Sequence, residues 1–209
     1  STVAIFDMEF SKQLVNETNA TLLKLVTGES CKNRSSIELD KLYCLVAYEG
    51  ISEKYLHGDQ VLYNFLNAEN KLKIDKIFLV DVWMDEIGNF DPALVALKLM
   101  TSEDVDLSIV TTFSSIFGLW SVGTREEVEL FRNVTRETNL ILWATRNDDV
   151  DLYDLQNSEI RQYPDLVPFL KNEYIENFVF LGAVDEGNLV TSKPYGSEII
   201  EHYFIGYDG

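Results

Sequence analysis

The sequence predicts an α/β fold with a mostly parallel central sheet and helices on both faces. Three observations carry this. First, short apolar runs recur along the chain: VAIFD at 3–7, LYCLVAY at 42–48, IFLVDV at 77–82, LSIVTTF at 107–113, LILWAT at 140–145 and NFVFLGA at 177–183. Strands that read as nearly continuous apolar runs are those buried on both faces. Second, segments with helical spacing separate these runs, which is the βαβ pattern of a parallel sheet. Third, the 209 residues show no internal repeat, no low-complexity linker and no composition break, so one sizeable core is expected.

The elements follow in order. Residues 3–7 are a strand ending in acid. Ser11 is placed to cap a helix running to about Thr27, with Leu14, Thr18, Leu22 and Leu25 on one face and Gly28 as its stop. Residues 28–37 read as loop and 42–48 as a strand. Ser52 to Asn67 has helical spacing through Leu56, Val61, Leu62 and Phe65, with Gly58 an unfavourable residue inside it. A strand follows at 77–82. Asp91 is placed to cap a helix that begins at Pro92 and runs to about Met100. Residues 107–113 are a strand. Thr124 with Glu127 forms a capping-box pattern for a helix to about Asn133. Residues 140–145 and 177–183 are strands, a helix starts near Pro164, and 198–207 is a strand or short helix. Residues 1–70 are read as an N-terminal extension or subdomain ahead of an α/β core over 71–209.

Composition limits the function classes. A hydrophobic content of 46% is globular rather than disordered. Net charge is -18, from 17 basic and 35 acidic residues, which argues against general nucleic-acid or anionic-membrane binding. A solvated, soluble surface is the ordinary reading of this charge, with a cation site or a basic protein partner as the alternative. No apolar run is long enough to span a membrane. Cys31 and Cys44 are too few for a disulfide framework and lack zinc-ligand spacing. Cys44 lies in an apolar run, where a buried free thiol is the expectation and a single bridge the alternative. Sequons at Asn16, Asn19, Asn33 and Asn133 arise easily by chance and carry little weight on secretion.

The chemistry-bearing residues concentrate in residues 76–115. Asp81, Asp85, Glu86 and Asp91 fall within eleven residues, at the carboxyl end of a strand and in the loop after it. Ligands bind at this end of open α/β sheets. Clustered carboxylates suit a hard cation such as Ca²⁺ or Mg²⁺, and one beside a metal-bound water can take its proton. Solvated loop acids and a helix cap explain the same residues.

The segments FLVDVW, DPALVALKL and SEDVDLSIVTTFSS, followed by TNLILWATRNDDVDLYDLQ and FVFLGAVDEGNLVT, resemble in order the inosine-uridine nucleoside hydrolase family over about residues 76–208. The resemblance implies a nucleoside-hydrolase-like fold and hydrolysis of the N-glycosidic bond of a nucleoside or nucleotide. It implies Asp81 and Asp91 as catalytic residues and Asp81, Asp85, Asp91 and Thr112 as Ca²⁺ ligands. Asn188 and Glu201 would contact substrate. Pro92 stands where the family has a second aspartate, and Ser114 and Ser115 where it has an asparagine. The alternative is a non-catalytic binding or assembly module with an acidic surface on the same fold. Its partner would be a nucleoside-like ligand or a protein, with homo-oligomerisation and compartment left open.

Three other features stand outside that resemblance. Asp7-Met8-Glu9 loosely resembles the opening motif of metal-dependent exonucleases. Trp83, Trp120 and Trp143 lie near strand ends, where an indole can stack on a base, although core packing is commoner; Trp83 is taken as substrate-binding. His57-Gly58-Asp59 reads as a surface histidine beside a turn, with a His-Asp pair at a site as the alternative.

Overall fold

A computed structural model describes residues 1–31, 37–38, 42–53, 55–68, 72–83, 91–111, 125–144, 177–185, 188–189 and 202–205. Its strands are β1 (Thr2–Asp7), β2 (Thr21–Thr27), β3 (Ile37–Glu38), β4 (Leu42–Ala47), β5 (Lys76–Asp81), β6 (Leu107–Val110), β7 (Leu140–Ala144), β8 (Phe178–Asp185), β9 (Asn188–Leu189) and β10 (His202–Ile205). Its α-helices are α1 (Lys12–Thr18), α2 (His57–Asn67), α3 (Pro92–Met100) and α4 (Arg125–Glu137), and a 3₁₀ turn spans Gly28–Cys31.

The strands form one sheet in the order β10-β8-β7-β6-β1-β5-β2-β4-β3, with β9 added to β8. From β2 through β10 along this path every pairing is parallel. The pairs β2–β4, β3–β4 and β8–β9 are antiparallel. The expected mixed α/β, mostly parallel architecture is therefore what the chain adopts. The boundary placed near residue 70 falls between α2 and β5, and strands from both sides of it alternate in the sheet, with β1 lying between β5 and β6.

Strand periodicity divides the core into two layers. On β1, Ala4 and Phe6 face a cluster with Val80, Leu94, Leu97, Phe131, Val134 and Trp143, supplied by β5, α3, α4 and β7. Val3 and Ile5 face the other cluster, with Phe10, Leu14, Leu22, Leu62, Leu79 and Ile109. Helices α1 and α2 thus cover one face, and α3 and α4 the other. Burial on both faces explains the unbroken apolar runs of β1, β5 and β6.

Several boundaries differ from expectation. The helix from Ser11 ends at Thr18, and residues 21–27 are β2 instead. Ser11 does cap α1, accepting from the Leu14 N–H at 3.2 Å. Asn19 then takes the left-handed conformation (φ 53°) that stops the helix. The Leu22/Leu25 spacing that looked helical belongs to a strand whose faces are both covered. Helix α2 starts at His57, five residues later than predicted. Helix α3 begins as expected, with Asp91 Oδ1 accepting from the Ala93 and Leu94 N–H groups at 2.8 and 3.2 Å. Cys31 and Cys44 form a disulfide rather than free thiols, tying the 3₁₀ turn after β2 to β4. Sequence spacing could not place the two sulfurs together, because the pairing of β2 with β4 does so. The helix expected near Pro164 lies outside the described residues.

Candidate active site

A polar row runs across the carboxyl edge of the central strands. In register, Leu22, Leu79, Ile5 and Ile109 stand side by side on β2, β5, β1 and β6. All four belong to the α1/α2 side of the core. Two residues further along, on the same face, stand Lys24, Asp81 and Asp7, and Thr111 follows β6 beside Asp7. The apolar layer thus ends abruptly in a line of polar side chains, which the N-terminus of α2 reaches through His57.

Asp7 is at its centre and is fully buried. Its Oδ1 accepts from the Met8 N–H at 2.6 Å and meets His57 Nδ1 at 2.7 Å. Its Oδ2 accepts from the Thr111 hydroxyl. A buried carboxylate with this many donors is held in one orientation. The contact with Oδ1 puts the imidazole proton on Nδ1, which leaves Nε2 as the acceptor of the neutral ring. The His57 side chain is 54% exposed. Its hydrogen bond to Asp7 raises its pKa above the usual histidine value, against the partial burial that lowers it.

Local packing explains how a residue fifty positions away reaches Asp7. Gly58, directly after His57, donates its N–H to the Met8 carbonyl at 3.3 Å. A Cβ at Gly58 would stand 2.6 Å from Phe10 Cε1 and 2.7 Å from the Glu9 carbonyl oxygen. Only glycine lets the first turn of α2 press this closely on the segment after β1. Asp59, in the same turn and buried, accepts from the Ser11 N–H at 2.8 Å. The glycine that made the helix reading unfavourable is what seats the histidine.

Asp81 is the expected site residue that falls in this row. It is fully buried, and its Oδ1 accepts from the Trp83 N–H at 2.9 Å and more weakly from the Glu9 N–H at 3.4 Å. Its Oδ2 has no partner among the described residues. Burial pushes its pKa above the usual carboxylate range. Trp83 follows, 47% exposed. Asp91 is elsewhere and caps α3. Asn188 lies in β9, while Asp85, Thr112, Glu201 and Trp120 lie outside the described residues. Trp143 is core. Asp91 Oδ1 accepts from the first turn of α3, and among the described residues no three His, Cys, Asp or Glu side chains are grouped to hold a metal. Asp7, which the exonuclease reading would place at a metal, has both oxygens engaged by protein donors. A cavity of about 360 Å³ bounded by Met100, Glu103, Ser108 and Glu137 lies at the amino end of β6, away from this row.

No family model and no curated protein matches the sequence. Solved structures do match. The epidermin leader peptide processing serine protease EpiP from Staphylococcus aureus gives a TM-score of 0.52 at 13% identity, over 99% of this chain and 51% of that one. Its S393A mutant gives 0.50 at 13% identity, over 93% and 50%. The nisin leader peptidase NisP from Lactococcus lactis gives 0.49 at 12% identity, over 92% and 59%. This chain spans about half the length of the EpiP structures. The fold is thus similar to that of EpiP over the part of it that this chain covers.

This corrects the nucleoside-hydrolase resemblance and the functions drawn from it: nucleoside hydrolysis and the non-catalytic module on that fold. The order strand, acid, helix, strand, Thr-Thr recurs in many parallel sheets, because it describes one βαβ unit with polar strand ends. The linear order of motifs does not contain the strand order, which only the folded sheet supplies. Sequence reasoning also did not bring Asp7 and His57 together, which the structure does. The signal was present in Asp7 at the end of the first buried strand and in His57-Gly58 opening a helix.

Proposed function

We propose that this chain carries the Asp–His half of a serine peptidase catalytic triad, with Asp7 and His57 as the pair and a peptide as substrate. The observation that carries the reading is the 2.7 Å contact between His57 Nδ1 and fully buried Asp7 Oδ1 at the carboxyl edge of the sheet. The chain order, Asp before His, is that of the subtilisin type of triad and not of the chymotrypsin type. The fold shared with a leader-peptide-processing serine protease supports it further.

In this reading His57 Nε2 takes the proton of a serine hydroxyl as that oxygen attacks the scissile carbonyl, and later returns it to the leaving amine. Asp7 fixes the ring through Nδ1 and stabilises the imidazolium that forms. The net charge of -18 favours a cationic peptide, because an acidic surface draws basic substrates and repels acidic ones.

The test is cleavage of a mixed peptide library by the full-length protein, with new termini read by mass spectrometry. Cleavage at defined positions is expected, abolished by a fluorophosphonate and reduced in Asp7→Asn and His57→Ala. Cleavage that survives His57→Ala unchanged, or no cleavage and no fluorophosphonate labelling, overturns the reading.

A further inference from the structure

We propose that Asp81 is a positioning residue that acts through Asp7 and sets how firmly His57 holds its proton. This builds on the Asp7–His57 pair proposed above. The two carboxyls are register partners on adjacent parallel strands, on the same face of the sheet, and both are fully buried. They are satisfied very unequally. Asp7 accepts from a backbone N–H, an imidazole and a hydroxyl. Asp81 accepts from two backbone N–H groups on one oxygen, while its other oxygen has no partner among the described residues.

Two neighbouring buried carboxyls do not ionise independently: the better-solvated one takes the charge first and the other keeps its proton longer. Here Asp81 is the carboxyl with an oxygen left without a partner among the described residues, and its burial raises its pKa above the usual carboxylate range. The groups facing Asp81 from surrounding elements are Asp7 on β1, Glu9 after β1, Lys24 on β2, and Tyr48 after β4. Lys24 stabilises the ionised form and Asp7 opposes it. Once Asp81 loses its proton, a second negative charge stands behind Asp7. The His57 imidazolium is then favoured, and the ring is a stronger base. The row therefore works as a relay of charge, from Asp81 through Asp7 to the imidazole.

NMR titration of the His57 imidazole tests this without reference to peptide cleavage. His202, on β10 four strands from β1, serves as the internal reference. In Asp81→Asn the His57 midpoint is expected to fall by about half a pH unit or more, with His202 unmoved. An unchanged His57 midpoint overturns the proposal. Should the variant not fold, the wild type decides: the His57 curve should show a second inflection at the pH where the Asp81 carboxyl carbon titrates, and a single-step curve overturns it. A protein that shows the shift but cleaves no peptide retains this coupling while losing the peptidase reading; one that cleaves peptides without the shift does the reverse.

Discussion

Asp7 Oδ1 and His57 Nδ1 lie 2.7 Å apart across fifty residues of chain. Asp7 ends the central strand, His57 opens a helix on one face of the sheet, and Gly58 lets the two meet. The first consequence concerns the carboxylate. Asp7→Asn keeps the shape but offers an amide where the imidazole needs an acceptor, so the ring loses its orientation and tautomer. Peptide cleavage is expected to drop by about 10⁴-fold, as for loss of the carboxylate in such triads, with kcat falling more than KM changes. Steady-state kinetics at one pH checks it.

Gly58→Ala tests the close approach. Its Cβ would meet Phe10 Cε1 at 2.6 Å and the Glu9 carbonyl oxygen at 2.7 Å. Phe10 is buried and the carbonyl belongs to the backbone, so the first turn of α2 must move. A loss of roughly 1–3 kcal/mol is expected, together with weaker cleavage as His57 withdraws from Asp7. Urea unfolding and activity measured on the same preparation would reveal both; unchanged stability would contradict the packing.

Thr111→Val removes the hydroxyl that donates to Asp7 Oδ2. A buried carboxylate oxygen is left unpaired at nearly constant side-chain volume. The expected cost is about 1–3 kcal/mol, and Thr111→Ser should recover most of it because the hydroxyl returns. Denaturant midpoints of the three proteins decide the point.

The pH dependence of stability follows from Asp81. Its folded pKa is raised above the unfolded value of 3.8, chiefly by burial. Such a group contributes its stability below pH 3.8, and that contribution is lost as pH rises through the folded pKa. Asp81→Asn does not ionise and escapes this loss. Its melting temperature relative to wild type should therefore shift in its favour as pH rises from 4 towards neutrality. A difference that stays constant over this range would mean that Asp81 ionises as readily folded as unfolded.

Disulfide reduction supplies a stability prediction far from the dyad. Cys31 and Cys44 are 13 positions apart, and closing a loop of that size restricts the unfolded chain by roughly 3 kcal/mol. Cys31→Ser with Cys44→Ser is expected to lower the melting temperature, and added reductant should lower the wild type to match. A wild-type melting curve indifferent to reductant would show the bridge contributes little.

The sequence by itself determined the fold class and most strands, because a strand buried on both faces must be apolar at nearly every position. β1, β5, β6 and β7 each read that way, and Asp91-Pro92 marked the start of α3 from chemistry local to the helix end. It also marked Asp7 and Asp81 as acids ending buried strands. Tertiary structure alone decided what those acids do. Strand order set β5 beside β1 and so put Asp81 next to Asp7, although seventy-four residues separate them, while Asp91, only ten from Asp81, went to cap a helix. The residues 21–27 were misread as helix because burial on both faces erases the alternation that tells strand from helix. His57 was read as a surface turn for a related reason: its partner lies on another element, and no local pattern encodes a contact that exists only when α2 packs against the end of β1.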